Sequence, residues 1–245
     1  MKPTPFFKSH YSIGRSILTL RESGTTEPEE ADSIFDICLA NKISELFLVE
    51  DELTGLLEAN ANAKEAKVNL RFGWRVTMVD DMAQKTEDSR LNEHKVVVFA
   101  KNDDAYKDFV KIATIASTEG FYYYPRIDEK TLKSLWSKNL RLVIPFYDSY
   151  LFKNTFTFAQ CTPKLNFCEK VFCREDNSHI FDPIIQKKLD KNVPRKEQFF
   201  VKSVFYNKIA DFKTYLAARC IQNRTTFDKP NIEHLCSDKF CVEAL

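Results

Sequence analysis

The chain has 245 residues, 44% of them hydrophobic and 21 of them Phe, which suits a substantial packed core and excludes a disordered chain. Its formal net charge is +1, so no bulk attraction to nucleic acid is expected, and its five glycines are nowhere spaced as in phosphate-cradling nucleotide loops. No apolar run approaches the roughly 18 residues of a membrane span, residues 1–12 lack the pattern of a signal peptide, and the odd count of seven Cys predicts reduced thiols and a cytoplasmic location.

In chain order, Phe6–Ser12 is followed by a short apolar run, Ile17–Leu20. Thr26–Lys42 is predicted as a helix capped by Thr26, with Pro28 in its first turn and Ile34, Phe35, Ile37, Cys38 and Leu39 on its buried side. Glu45–Val49 reads as a short strand, and Thr54 as the cap of a helix reaching Lys64. Val68–Met78 alternates without a break: Val68, Leu70, Phe72, Trp74, Val76 and Met78 on one face, Asn69, Arg71, Gly73, Arg75 and Thr77 on the other.

Lys95–Ala100 is a β-branched apolar run, and Asn102 offers an N-cap to a helix with Tyr106, Phe109, Val110, Ala113 and Ala116 at helical spacing. Gly120 ends that helix, and Leu132–Lys138 and Leu140–Phe146 read as a further helix and strand. Gln198–Tyr206 is predicted as the last strand, and Asn207 as the cap of a long helix carrying Ile209, Phe212, Tyr215, Leu216 and Cys220. Cys161, Cys168, Cys173 and His179 lack the paired short spacing of structural zinc sites and are expected to be buried or loop side chains.

Ala100-Lys101-Asn102, Tyr106 and the run Gly120–Asp128 carry a resemblance. They are similar to the PHP domain at the N-terminus of bacterial DNA polymerase III alpha subunits, with Tyr124 in place of a lysine. Ser9, Tyr11-Ser12, Gly73-Trp74, Ala218–Gln222, Asp228, Pro230 and Asp238-Lys239-Phe240 extend the likeness over residues 5–150 and 198–245. The resemblance implies a single α/β domain over residues 1–245, a distorted (β/α)7-type barrel of parallel-type strands ringed by helices. A diverged, insertion-like stretch occupies about 147–197. No polymerase palm follows, so a stand-alone, degenerate copy is expected, for which a viral or mobile-element origin would fit.

Active members of that family hold up to three metal ions on clustered His and carboxylate side chains. The resemblance places those ligand positions at Phe6, Lys8, Glu50, Asp51, Arg75, Phe146, Ser203 and Phe205. Only Glu50 keeps the ligand type, and Asp51 could coordinate; a cation at Lys8 or Arg75 cannot bind a cation. His10, offset by two residues from the strand position of the second histidine, is expected at the surface or in a loop. No metal, no cofactor and no catalysis are therefore expected.

Two readings of the pocket follow: Lys8 and Arg75 neutralised by Glu50 and Asp51 among aromatic fillers, or a cationic phosphate site made by Lys8, Arg71 and Arg75. The first is preferred. The expected function is a catalytically inactive PHP-like domain that acts as a protein-interaction module on DNA replication machinery, binding a polymerase or proofreading exonuclease subunit. Nucleic acid is the weaker partner and no membrane is involved. The alternatives are a residual metal-dependent phosphoesterase or exonuclease, and a structural component of a larger assembly.

Overall fold

Strands and helices alternate in a computed structural model that describes residues 2–27, 29–228 and 237–245. The order is β1 (Thr4–Phe7), α1 (Ile34–Ala40), β2 (Glu45–Glu50), α2 (Leu56–Glu65), β3 (Asn69–Val79), β4 (His94–Ala100), α3 (Ala105–Thr118), β5 (Ile127–Asp128), α4 (Glu129–Leu135), β6 (Leu140–Ile144), α5 (Tyr150–Phe156), β7 (Lys170–Arg174), α6 (Asp182–Asn192), β8 (Gln198–Val204) and α7 (Phe212–Asn223). The α/β class expected from the sequence is what the chain adopts. Two compact units divide it: residues 1–72, 175–182 and 200–245 form one, residues 73–174 and 183–199 the other.

In the first unit, β1 runs parallel to both β2 and β8, with Phe6 opposite Phe47 and Ser203, and Phe7 opposite Leu48 and Val204. A strand flanked on both sides and covered on both faces should be apolar, and Phe7, Leu46 and Leu48 are fully buried. Ile34 and Phe35 of α1 and Tyr215 of α7 complete that core.

In the second unit, β3 and β5 are parallel, β6 and β7 are parallel, and β4 is antiparallel to both β3 and β6. The expectation of parallel-type strands throughout is corrected at β4. A parallel return requires a crossover, usually helical, whereas residues 80–93 carry only one short 3-10 turn, Asp88–Arg90, and reverse the chain as a long hairpin. Trp74 of β3 packs its ring edge-on to Phe109 of α3, centroids 6.2 Å apart, and Val96, Val98 and Leu142 are buried.

Several helix ends differ from the sequence reading. α1 is capped by Ser33, not Thr26: the Ser33 backbone is extended and its Oγ accepts from Phe35 N at 3.2 Å. Pro28 lies outside the described residues, as does Pro230. α2 starts after Gly55 without a side-chain cap, Thr54 bonding to Glu52 instead. Asn102 Oδ1 accepts from Ala105 N, but the N-cap of α3 is Asp104, not Asn102. α3 buries Ala105, Asp108, Phe109, Ile112 and Ala116, leaving Tyr106 and Val110 exposed. Asp108 can turn inward because Ser137 Oγ at 2.6 Å and Asn139 Nδ2 at 3.1 Å satisfy its carboxylate.

α4 begins earlier than expected, capped by Asp128, whose Oδ1 accepts from Thr131 N at 2.7 Å. α7 starts after a 3-10 turn, Ile209–Asp211, where Asp211 accepts from Lys208 N; Asn207 is not its cap. The stretch 147–197 supplies α5, β7 and α6.

Candidate functional site

Because β1, β2 and β8 are parallel and in register, their carboxyl ends lie side by side, the place where loops after parallel strands assemble sites. Lys8, one residue past β1, is held by its N–H to Val204 O at 3.2 Å. Glu50 closes β2 and is fully buried. Its carboxylate accepts from Ser9 N at 2.8 Å and Ser12 Oγ at 2.5 Å, and Ser12 Oγ in turn accepts from Asp51 N at 2.9 Å. Burial pushes the Glu50 carboxyl above its ordinary value, against the charge of Lys8 and the hydrogen bonds from Ser12 and Ser9.

Asp51 stands between two cations, Lys8 Nζ at 3.5 Å and Arg15 Nε at 3.2 Å. Two carboxylates, Glu50 and Asp51, and two cations, Lys8 and Arg15, meet at this corner. Arg15 was not singled out from the sequence, and Ser12 only as part of the resemblance, with no partner named for it. Both sit in the turn after β1, where spacing alone gives no sign of what they reach. His10 is exposed beside the Tyr11 ring, as expected of a loop histidine.

Phe6 lies on β1 beside the Phe47 ring, centroids 5.6 Å apart. Phe205 is stacked between Tyr215 at 5.6 Å and Phe240 at 5.2 Å, nearly parallel to both. An aromatic ring offers a metal no lone pair and fills the volume that an imidazole and an ion would need. Arg71 does not join this group. It pairs with Glu45 at 2.7 Å, at the start of β2, about 16 Å of strand from Glu50.

Glu175, the first residue past β7, is the carboxylate that the sequence reading missed. It is held by three donors: Ser203 N at 2.9 Å, Ser203 Oγ at 2.9 Å and Asn177 Nδ2 at 2.7 Å. Burial pushes its carboxyl up to about 7, against those hydrogen bonds and with a smaller upward push from Asp182. Asp182 accepts from Asn177 N and His179 N, and the Asn177 carbonyl accepts from Ser237 Oγ. The loop 175–182 is thereby tied to β8 and to the last described segment. A strand reading of 170–174 would have pointed to Glu175, as the residue at its carboxyl end.

In the second unit, Arg75 projects from β3 and is almost wholly buried. Its Nη2 lies 2.7 Å from Asp148 Oδ2. Asp148 adopts a left-handed backbone, φ 61°, and its carbonyl is fixed by Lys95 N at 2.8 Å. Phe146 is buried edge-on to Tyr147, centroids 5.0 Å apart. Cys161 is buried, its Sγ donating to the Asn92 carbonyl, Cys173 is buried in β7, and Cys168 is half-buried.

The donor set does not fit the metal ions that the resemblance implies. Lys, Arg and Phe stand at five of the eight positions, and among the described residues no three His, Cys, Asp or Glu side chains gather so as to hold an ion. Among the same residues no helix is long and apolar enough to cross a membrane.

The sequence profile of the PHP domain matches residues 28–158, just over half of the chain. DNA polymerase III subunit alpha of Helicobacter pylori is 27% identical over 101 residues, which are 39% of this chain and 8% of that protein. The subunit of Borreliella burgdorferi is 31% identical over 83 residues, 33% of this chain and 7% of that protein. That of Aquifex aeolicus is 38% identical over 56 residues, 22% and 5% respectively. The matched segments span less than a tenth of these relatives' length.

Proposed function

The chain belongs to the PHP domain family, and from that premise we propose that it is a catalytically inactive member that works as a protein-interaction module on DNA replication machinery. Arg75 carries this reading. A guanidinium stays protonated and has no lone pair for a metal, and the resemblance aligns this one with a metal-binding glutamate of the family. Its pairing with Asp148 gives it a structural role at the position a ligand would need. Lys8 repeats the pattern against Asp51, and Phe205 does so in its aromatic stack. With each of Lys8, Arg71 and Arg75 facing a carboxylate, internal ion pairs are favoured over a phosphate pocket. The relatives are DNA polymerase III alpha subunits, so we infer that the partner is a polymerase or exonuclease component.

The test has two arms. Elemental analysis of the purified chain, with metal-supplemented phosphatase and exonuclease assays, should give no stoichiometric metal and no turnover above a blank. Affinity capture against purified polymerase and exonuclease subunits should retain one of them. Metal-dependent turnover lost in Glu50→Gln would refute the first half, and failure to retain any replication protein would refute the second.

A further inference from the structure

The loop that follows α3 is built more rigidly than a surface connection requires. Arg126 is fully buried beneath it. Its Nε donates to Gly120 O at 3.1 Å, its Nη2 to Gln84 O at 3.1 Å and its Nη1 to Ser89 Oγ at 3.3 Å, while Glu93 lies 3.5 Å from Nη1. The same guanidinium sits 5.0 Å from the centre of the Tyr122 ring. From the other side, Arg90 lies 5.0 Å from the Tyr123 ring and 5.7 Å from that of Tyr124, and Tyr124 OH donates to Glu93. Two arginines and the Glu93 carboxylate thus hold three consecutive tyrosines.

What this framework presents is apolar and strained. Tyr123 has φ 62°, a left-handed conformation unusual for an aromatic residue, and is 64% exposed. Burial therefore does not explain why a bulky ring is kept there. Phe121 is also exposed, and so is Leu91, next to Arg90. Strain maintained at an exposed, preorganised residue is a mark of a contact surface. Charge selects the occupant: residues 80–93 carry five carboxylates against two cations, and Asp80, Asp81, Glu87 and Asp88 are exposed. That field repels a phosphate backbone and attracts lysine and arginine, whose heads also bind the faces of tyrosine rings.

We propose that Phe121, Tyr123 and Leu91 form a docking platform for a basic segment of a partner protein, one that sets an aliphatic side chain on the rings and its cations against the carboxylates of 80–93. This rests on the interaction-module reading and names the surface it uses.

The test uses the full chain and a fluorescein-labelled peptide of about twelve alternating arginines and leucines, read by anisotropy. A glutamate–leucine peptide and a single-stranded oligonucleotide of similar length serve as competitors. Saturable binding of the basic peptide is expected, weakened about tenfold or more in Tyr123→Gly and in Phe121→Ser. Leu57→Ser, an exposed change on α2, should leave it unaltered. Undiminished peptide binding in Tyr123→Gly, or preference for the acidic peptide or the oligonucleotide, overturns the platform. If a replication subunit is retained equally by parent and Tyr123→Gly, the platform fails and the module reading stands. If the peptide binds the platform and no replication subunit is retained, the reverse holds.

Discussion

Asp148 Oδ2 lies 2.7 Å from Arg75 Nη2, a carboxylate from the loop after β6 set against a guanidinium on β3. The pair is part-buried, and removing one member leaves the other charge less well compensated, at a cost of about 1–3 kcal/mol. Arg75→Ala should therefore lower unfolding free energy by that order. Asp148→Asn, which keeps a residue tolerant of the left-handed backbone, should act through charge alone. In a denaturation cycle the double variant should be less destabilised than the sum of the singles, and strict additivity would show that the pair is not coupled.

Glu175 predicts an unusual pH profile. Its folded value near 7 lies above the ordinary 4.5, so the folded state holds the proton more tightly than the unfolded one. That contribution is complete below about pH 4.5 and is lost as the pH rises through 7, on the order of 3 kcal/mol for a shift of this size. Urea melts at pH 5 and pH 8 should show the parent losing more stability than Glu175→Gln across that interval. Parallel curves for the two proteins would show that Glu175 titrates normally.

Ser33, as the cap of α1, should cost about 1 kcal/mol when replaced by alanine. Thr26→Ala, on the residue that the sequence alone favoured, should cost a few tenths at most. Equal losses in thermal melts would restore Thr26 as the cap.

Gly120 is needed for space. A Cβ there would sit 1.9 Å from the Arg126 carbonyl oxygen, a backbone atom that cannot step aside. Gly120→Ala should unfold or severely destabilise the second unit, by more than about 3 kcal/mol. A variant melting within a few degrees of the parent would show that the 120–126 turn yields easily.

Local physics made the strands and most helices legible. β3 was read from eleven alternating residues, and an inward cation on it demanded a carboxylate. The carboxylates expected for it were Glu50 and Asp51; Asp148 was not foreseen, because it reaches Arg75 from a loop 73 residues away through a backbone angle that no spacing announces. Thr26 and Ser33 both precede the same apolar run, and a cap pattern does not rank them. The actual choice was made by Glu30 N donating to Glu27 O and by Ser33 Oγ bonding back to the Arg21 carbonyl. The inward turn of Asp108 depended on Ser137 and Asn139, again a long-range matter. Glu175 was missed because its stretch resembles nothing in the family's pattern, although its place after a strand was readable.

The pairing of β1 with β8 sets an order of events during synthesis. The ribosome delivers Thr4–Phe7 nearly two hundred residues before Gln198–Val204, a wait of roughly 10–40 s at 5–20 residues per second. Until then β1 can add only to β2, and its second edge, with Phe6 and Phe7, stays open to any passing strand. Residues 73–174, by contrast, emerge as one run. The nascent chain thus carries an unfinished sheet edge while residues 8–197 are made, which makes the first unit the point where chaperones, or aggregation, would act.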